Sequence, residues 1–171
     1  MIYILSGDIE TGKSTALLDW AKDRQDCYGI LSPGNAPGER YFLDISNKRE
    51  FRMEAGSGEE DAIEVGRFRF LRSAFSKANA ILKKATDISE GIIIIDELGK
   101  LELRDEGLFE SAKLAVKKAT ENEMIDLILV VRTSLLDQVV SKYGIDKYTL
   151  ISKEYLKDFP TNCNNSYIAK F

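Results

Sequence analysis

The sequence predicts an α/β fold, in which a mostly parallel sheet carries helices on both faces. Three apolar runs, at residues 2–5, 92–95 and 127–131, have the length and composition of strands buried on both sides. Segments with helical spacing of apolar residues separate these runs along the chain. Strands that alternate with helices favour parallel pairing, because a parallel neighbour requires a long crossover connection.

A glycine-containing segment joins the first predicted strand to the first predicted helix, and it reads Gly7-Asp8-Ile9-Glu10-Thr11-Gly12-Lys13-Ser14-Thr15. It matches G-x-x-x-x-G-K-[ST], the phosphate-binding loop or P-loop. Gly7 and Gly12 permit close approach of a phosphate, and the backbone N–H groups between them surround its oxygens. Lys13 brings a positive charge to the β- and γ-phosphates, and the Ser14 hydroxyl is a ligand for Mg²⁺. We therefore predict that residues 7–15 bind a nucleoside triphosphate.

The second candidate motif is the pair Asp96-Glu97, which follows the apolar run 92–95. An apolar strand that ends in Asp is typical of the Walker B motif, and we expect Asp96 to hold Mg²⁺ together with Ser14. The chain contains no histidine, so a general base is expected to be a carboxylate. Glu97 is the candidate that orients or deprotonates water. Such a pair is frequent in P-loop ATPases with an additional strand between the two motifs.

Two further cations are weaker candidates. Arg132 ends the strand that we expect beside the Asp96 strand, where it could sense the γ-phosphate. Lys100 could contact a phosphate or pair with Glu102. A surface ion pair is at least as compatible with both positions.

The middle of the chain predicts an inserted antiparallel hairpin at about 40–53, followed by an acidic loop at 54–64. Residues 67–71 alternate like a half-buried strand, and Ser73 is expected to cap the next helix. Residues 98–103 are expected to form a connection, and Ser134 to cap a later helix. Three arginines either supply a cation to a transition state or form a solvated strand face: Arg67, Arg69 and Arg72.

Length and composition predict one domain spanning residues 1–171. The net charge of −4 disfavours a general nucleic-acid binder. No apolar run is long enough for a membrane span, and no basic segment precedes the first strand, so we expect a cytoplasmic protein. Cys27 and Cys163 fit reduced thiols there. The absence of histidine also excludes Ser-His-Asp catalysis.

The two motifs together resemble the small nucleoside-triphosphatase family that includes the cancer-related nucleoside-triphosphatase and its archaeal and bacterial relatives. The more specific stretch is Asp96-Glu97-Leu98-Gly99-Lys100-Leu101-Glu102-Leu103, where the family has Asp-Glu, an aliphatic residue, Gly, Lys or Pro, an apolar residue, Glu and an apolar residue. The chain length and the hairpin before this stretch also match, and the resemblance covers roughly residues 1–145. One departure is Gly29-Ile30-Leu31-Ser32-Pro33, where the family usually has Gly-aromatic-x-Thr-x-Glu.

The resemblance implies a RecA-like fold and slow, Mg²⁺-dependent hydrolysis of ATP, GTP and other nucleoside triphosphates. It also implies nucleotide binding through the positions Gly7 to Thr15 and Ile92 to Gly99. We therefore predict an Mg²⁺-dependent nucleoside-triphosphatase. Two alternatives stay open: a P-loop kinase that transfers the γ-phosphoryl group to a small molecule, and a nucleotide-gated binding module with negligible turnover.

Overall fold

The computed structural model describes residues 1–8, 11–34 and 40–159. The strands in these ranges are β1 (Ile2–Gly7), β2 (Cys27–Leu31), β3 (Tyr41–Asp44), β4 (Arg49–Arg52), β5 (Ala62–Val65), β6 (Phe68–Leu71), β7 (Gly91–Leu98), β8 (Ile125–Arg132) and β9 (Thr149–Ile151). The α-helices are α1 (Lys13–Ala21), α2 (Arg72–Ala85), α3 (Lys100–Leu103), α4 (Phe109–Glu121) and α5 (Leu136–Tyr143). Two 3₁₀ helices follow β8 and β9, at Thr133–Leu135 and Glu154–Asp158. Within the described ranges, no helix has both the length and the apolar character that crossing a membrane requires.

The main sheet has seven strands in the order β4-β3-β2-β7-β8-β1-β9. The five neighbouring strands β2-β7-β8-β1-β9 pair in parallel. Strands β3 and β4 form an antiparallel hairpin that pairs with β2 at one edge of the sheet. The α/β fold with a mostly parallel sheet is thus confirmed, as is the hairpin predicted at about 40–53. Strand β8 lies between β1 and β7, so an additional strand separates the two motifs.

Side chains of the central strands alternate between two hydrophobic cores, one on each face of the sheet. Ile93 and Ile95 of β7 join the core covered by α2, α4 and α5, whereas Ile92 and Ile94 join the core covered by α1 and the 3₁₀ helix Glu154–Asp158. All four isoleucines are fully buried. A continuous apolar strand is required here because both faces are covered by helices, as the sequence predicted.

The prediction of a loop over 54–64 is wrong for its last three residues, 62–64, because Ala62–Val65 form strand β5. This strand pairs with β6 in a separate two-stranded sheet, joined by the turn Gly66-Arg67. Ile63 and Phe70 face each other across the pair, and both are buried. The alternation in Ala62 to Val65 was hidden by the acidic and glycine-rich residues before it.

Both predicted caps, and the predicted connection at 98–103, differ from the structure. Helix α2 begins at Arg72, so Ser73 lies inside its first turn, and Ser134 lies inside a 3₁₀ turn before α5. Neither helix start is capped by a side-chain hydrogen bond. Residues 98–103 hold the end of β7 and the short helix α3 rather than an irregular connection.

Candidate active site

The P-loop connects the end of β1 to the start of α1, as its sequence requires. Residues 9 and 10, which carry the predicted positions Ile9 and Glu10, lie outside the described part of the chain. Gly12 immediately precedes the helix with φ +79°, a left-handed conformation that favours glycine. The next three residues, Lys13, Ser14 and Thr15, form the first turn of α1.

The Lys13 ammonium group folds back over the loop. Its Nζ donates to the carbonyl oxygens of Gly7 and Asp8, at 2.9 and 2.5 Å, and lies 3.1 Å from the Thr11 hydroxyl oxygen. Burial lowers the pKa of Lys13, and the nearby carboxylates of Asp96 and Glu97 oppose that shift. The ammonium group is therefore held by carbonyl dipoles of the loop itself.

A β-bulge in β7 brings both members of the Asp96-Glu97 pair to the P-loop. Ile95 pairs with Leu129 and Leu98 pairs with Val131, so β7 carries one residue more than β8 in this interval. In a regular strand, consecutive side chains point to opposite faces of the sheet. The bulge changes that direction, and Glu97 adopts a left-handed φ of +61°. The bulge lies at the level of the P-loop, because Leu98 pairs with Val131 of β8 and Gly7 of β1 pairs with the next residue of β8, Arg132.

Asp96 is a buried carboxylate with one unsatisfied oxygen. Its side chain is 1% exposed, and Oδ2 accepts a hydrogen bond of 2.8 Å from the Ser32 backbone N–H. Oδ1 meets no hydrogen-bond partner among the described residues. Burial raises the pKa of Asp96 to about 6, although hydrogen bonding from Ser14 and Ser32 opposes the shift. A buried carboxylate oxygen without a donor, next to a serine hydroxyl, matches the oxygen ligands that Mg²⁺ prefers.

Glu97 is held between two guanidinium groups. Arg132, at the end of β8, donates from Nη2 to Oε1 of Glu97, and Arg40 places Nη1 3.5 Å from Oε2. The sequence predicted that Arg132 ends the strand beside the Asp96 strand. The structure places it there, because β8 pairs with β7 and Arg132 lies opposite Gly7 of β1. The sequence did not indicate Arg40, which precedes β3 and reaches the site only through the edge hairpin.

Glu102 is a structural clamp rather than the partner of Lys100. It is 3% exposed, and its Oε2 and Oε1 accept the backbone N–H groups of Gly99 and Leu108, at 2.8 and 2.9 Å. Burial raises its pKa, and these two hydrogen bonds oppose the shift. Gly107 is required beside it, because a Cβ there would lie 2.3 Å from Oε1. Glu102 thus fastens the segment that carries Gly99 and Lys100 next to Glu97.

A cavity of about 230 Å³ opens beside the carboxylates. The β5–β6 hairpin, β7 and the segment around α3 contribute to its wall. Most of its lining is apolar, and the polar lining residues are Ser32, Arg40, Arg67, Asp96, Glu97, Lys100, Glu102 and Arg132. No feature of the sequence indicated this space, because its wall comes from segments that are far apart in the chain.

The three arginines around β6 separate into two groups. Arg69 donates to the carbonyl oxygens of Gly56 and Glu59, and Arg72 lies 3.2 Å from Asp61. Both therefore stabilise the acidic loop. Arg67 lines the cavity instead, with its guanidinium carbon 5.0 Å from the centre of the Phe68 ring.

The C-terminal side of the described chain also reaches the P-loop. The Lys153 ammonium group donates to the carbonyl oxygen of Thr11, at 3.1 Å. Phe159 packs this segment against the sheet and α1. The centroid of its ring lies 4.6 Å from that of Tyr3 and 5.2 Å from that of Trp20. This contact could not be predicted from the sequence, because Lys153 belongs to no recognisable motif.

A P-loop between a strand and a helix, with the Asp-Glu strand two places away in a mostly parallel sheet, defines a fold of the P-loop α/β class. Two solved structures share it. THEP1 from the hyperthermophile Aquifex aeolicus has a TM-score of 0.69 and 18% identity, over 94% of this chain and 97% of that one. A human cancer-related nucleoside triphosphatase has a TM-score of 0.62 and 15% identity, over 96% of this chain and 97% of that one.

These comparisons confirm the predicted resemblance at the level of the fold. The shared fold extends past residue 145, where the resemblance of the sequence ended, because 94% or more of the chain is covered. By sequence, no family model and no curated protein matches the chain.

Proposed function

We propose that the protein is an Mg²⁺-dependent phosphohydrolase that converts ATP and GTP to the diphosphate and inorganic phosphate. One observation carries the proposal: the Lys13 end of the P-loop and the bulged Asp96-Glu97 pair meet at the same edge of the sheet. The fold shared with a protein named as a nucleoside triphosphatase supports it.

Binding of the triphosphate is assigned to the P-loop. The backbone N–H groups of residues 7–15 and the Lys13 ammonium group would hold the β- and γ-phosphates, replacing the carbonyl contacts that Lys13 now makes. Gly99 borders this region through the segment that Glu102 fastens. Ser14 and Asp96 would hold Mg²⁺, which when bound neutralises charge on the β- and γ-phosphates.

The hydrolytic step is assigned to Glu97. Its carboxylate would accept a proton from water as the water oxygen bonds to the γ-phosphorus and the bond to the β–γ bridging oxygen breaks. The proton then leaves to solvent, and Arg132 stabilises charge on the γ-phosphoryl oxygens. Arg132 is now paired with Glu97, so an anionic γ-phosphate would compete for Arg132 and release the carboxylate.

The decisive experiment compares phosphate release from ATP and GTP by the wild type and Glu97→Gln, with Mg²⁺ and without any acceptor. The amide keeps the shape of the side chain and removes its basicity, so we expect nucleotide binding to persist and turnover to fall about 10²- to 10⁴-fold. Glu106→Gln is the control, because Glu106 is an exposed carboxylate paired with Arg104. Normal turnover in Glu97→Gln would refute the assignment. Binding without turnover in the wild type would favour the nucleotide-gated module.

A P-loop kinase is the second candidate, and the cavity beside Glu97 is the observation that favours it. A kinase needs room for an organic acceptor next to the γ-phosphate, whereas hydrolysis needs room only for water. ADP formation that depends on an added acceptor would distinguish the two.

Two broader expectations also remain proposals. We propose that residues 1–171 act as one domain, because one continuous sheet includes strands from Ile2 to Ile151. We also propose a reducing, cytoplasmic location, which is supported by the free and buried thiol of Cys27, whereas Cys163 lies outside the described residues.

A further inference from the structure

The cavity beside Glu97 is larger than the hydrolytic reaction requires. It has a volume of about 230 Å³, whereas one water molecule occupies about 30 Å³ in the liquid. Its wall includes the buried rings of Phe42, Phe70 and Phe75, together with Met53 and Leu108. Water gains few hydrogen bonds against such a wall, so the space favours an apolar group.

The polar lining is basic on the side of the β5–β6 hairpin. The guanidinium carbons of Arg40 and Arg67 lie 4.4 and 5.0 Å from the centre of the Phe68 ring. Arg40 is only 3.5 Å from Glu97, a carboxylate that already pairs with Arg132, and Arg67 forms no ion pair with any described residue. Two positive groups therefore flank one aromatic ring with incomplete compensation of their charge.

We propose that this cavity binds a small organic anion beside the nucleotide site. The carboxylate, sulfonate or phosphate group of the ligand pairs with Arg67, the lining arginine that forms no ion pair with a described residue, and its aromatic or aliphatic body packs against the apolar wall. Guanidinium groups bind such planar or tetrahedral anions through charge-assisted hydrogen bonds. The volume of about 230 Å³ lies just below the range of about 300–1,000 Å³ that is typical of pockets for drug-sized ligands, so the cavity suits a smaller molecule.

The position of the cavity links this ligand to the chemistry of the nucleotide site. The cavity that would hold the ligand is lined by Asp96 and Glu97, and by Arg40, which contacts Glu97. The bound molecule is thus placed as an acceptor for the γ-phosphoryl group or as an effector of hydrolysis. Occupation of the cavity itself requires neither role.

The test is a fluorescence titration of the full chain with 1-naphthalenesulfonate, in the absence of nucleotide and at about 0.15 M salt. The assay contains no triphosphate, so its outcome is independent of whether the protein hydrolyses ATP. We expect saturable binding of one probe per chain, with an affinity about tenfold higher than that of uncharged 1-naphthalenemethanol. A lack of saturable binding would overturn the proposal, and equal affinity for the neutral alcohol would overturn its anionic part.

Matched variants locate the probe. Arg67→Gln is expected to weaken binding about fivefold, because the lost charge is exposed and partly screened by salt. Arg72→Gln is the control, since Arg72 is also exposed but pairs with Asp61 outside the cavity. An equal effect of the two changes would contradict the proposed site.

Two cavity-filling variants approach the same space from different walls. Val65→Phe and Leu135→Phe each add a ring to the lining, and we expect each to abolish saturable binding. Circular dichroism and thermal unfolding establish whether each variant is folded. Because the two substitutions lie in different segments, the test can still be made if one of the variants does not fold. Undiminished binding in the folded variants would place the probe elsewhere and overturn the proposal.

Discussion

The two ends of the candidate nucleotide site are built in opposite ways. At the P-loop, the contacts of Lys13 reach Gly7, Asp8 and Thr11, all within six residues along the chain. At the carboxylate end, Glu97 pairs with Arg132, 35 residues away, and with Arg40 on the edge hairpin. The contacts of Lys13 lie within one short segment of the chain. The contacts of Glu97 join separate strands, so they form only when the sheet is assembled.

This difference predicts different consequences of mutation. If the proposed function holds, the P-loop should lose activity through the single side chain of Lys13, because the other contacts proposed for the phosphates come from the backbone. The carboxylate end should respond in steps, because Asp96, Glu97 and Arg132 come from two strands and act on different atoms.

Among the variants other than Glu97→Gln, the largest effect is expected for Lys13→Ala. The variant removes the only P-loop cation that the motif directs at the β- and γ-phosphates, so turnover of Mg²⁺-ATP should fall on the order of a thousandfold. Lys22→Ala is the control, because Lys22 is exposed at the end of α1 and pairs with Asp19. Phosphate release measures turnover, and a nucleotide titration measures binding. Wild-type turnover in Lys13→Ala would exclude the P-loop assignment.

A smaller loss is expected for Arg132→Gln, about a hundredfold in turnover with little change in nucleotide binding. The variant removes a cation from the γ-phosphate and also removes a partner that restrains Glu97. Single-turnover kinetics with Mg²⁺-ATP measure the chemical step, with Arg104→Gln as an exposed control. Faster turnover in Arg132→Gln would show that the ion pair is only inhibitory.

The same contrast explains how much of the site could be predicted from the sequence. Lys13, Ser14, Asp96 and Glu97 lie in contiguous motifs that are recognisable in the sequence, and the parallel strands bring these motifs to one edge of the sheet, whereas the roles of the four residues stay predictions. Arg132 was predictable because an apolar run indicates a strand, and the end of a strand indicates an edge of the sheet.

Other parts of the site have no local pattern. Arg40 reaches Glu97 only through the antiparallel pairing of β2 and β3, and Lys153 reaches Thr11 only because β9 lies beside β1. The bulge at Glu97 depends on the register between two strands. Such features follow from tertiary packing, and the alternation of apolar residues along one strand does not reveal them.

A third prediction concerns stability rather than chemistry. Glu102→Gln replaces one carboxylate oxygen by an amide that cannot accept the N–H of Gly99 or Leu108, so one buried donor loses its partner. The free energy of unfolding should fall by about 1–3 kcal/mol. Urea denaturation measures it, with Glu110→Gln as the control, because Glu110 is an exposed residue in the first turn of α4. Equal stability of the two variants would mean that the clamp is dispensable.

The smallest effect is the pH dependence of that difference in stability. Burial raises the pKa of Glu102 above its ordinary value of 4.5. A carboxyl group with a raised folded-state pKa contributes stability that is fully present below the unfolded-state pKa and is lost as pH rises through the folded-state pKa. The stability of the wild type relative to Glu102→Gln should therefore increase as pH falls from 7 towards 4.5. Urea denaturation of both proteins across this range measures the difference, and a decrease on acidification would show that the two backbone hydrogen bonds outweigh burial.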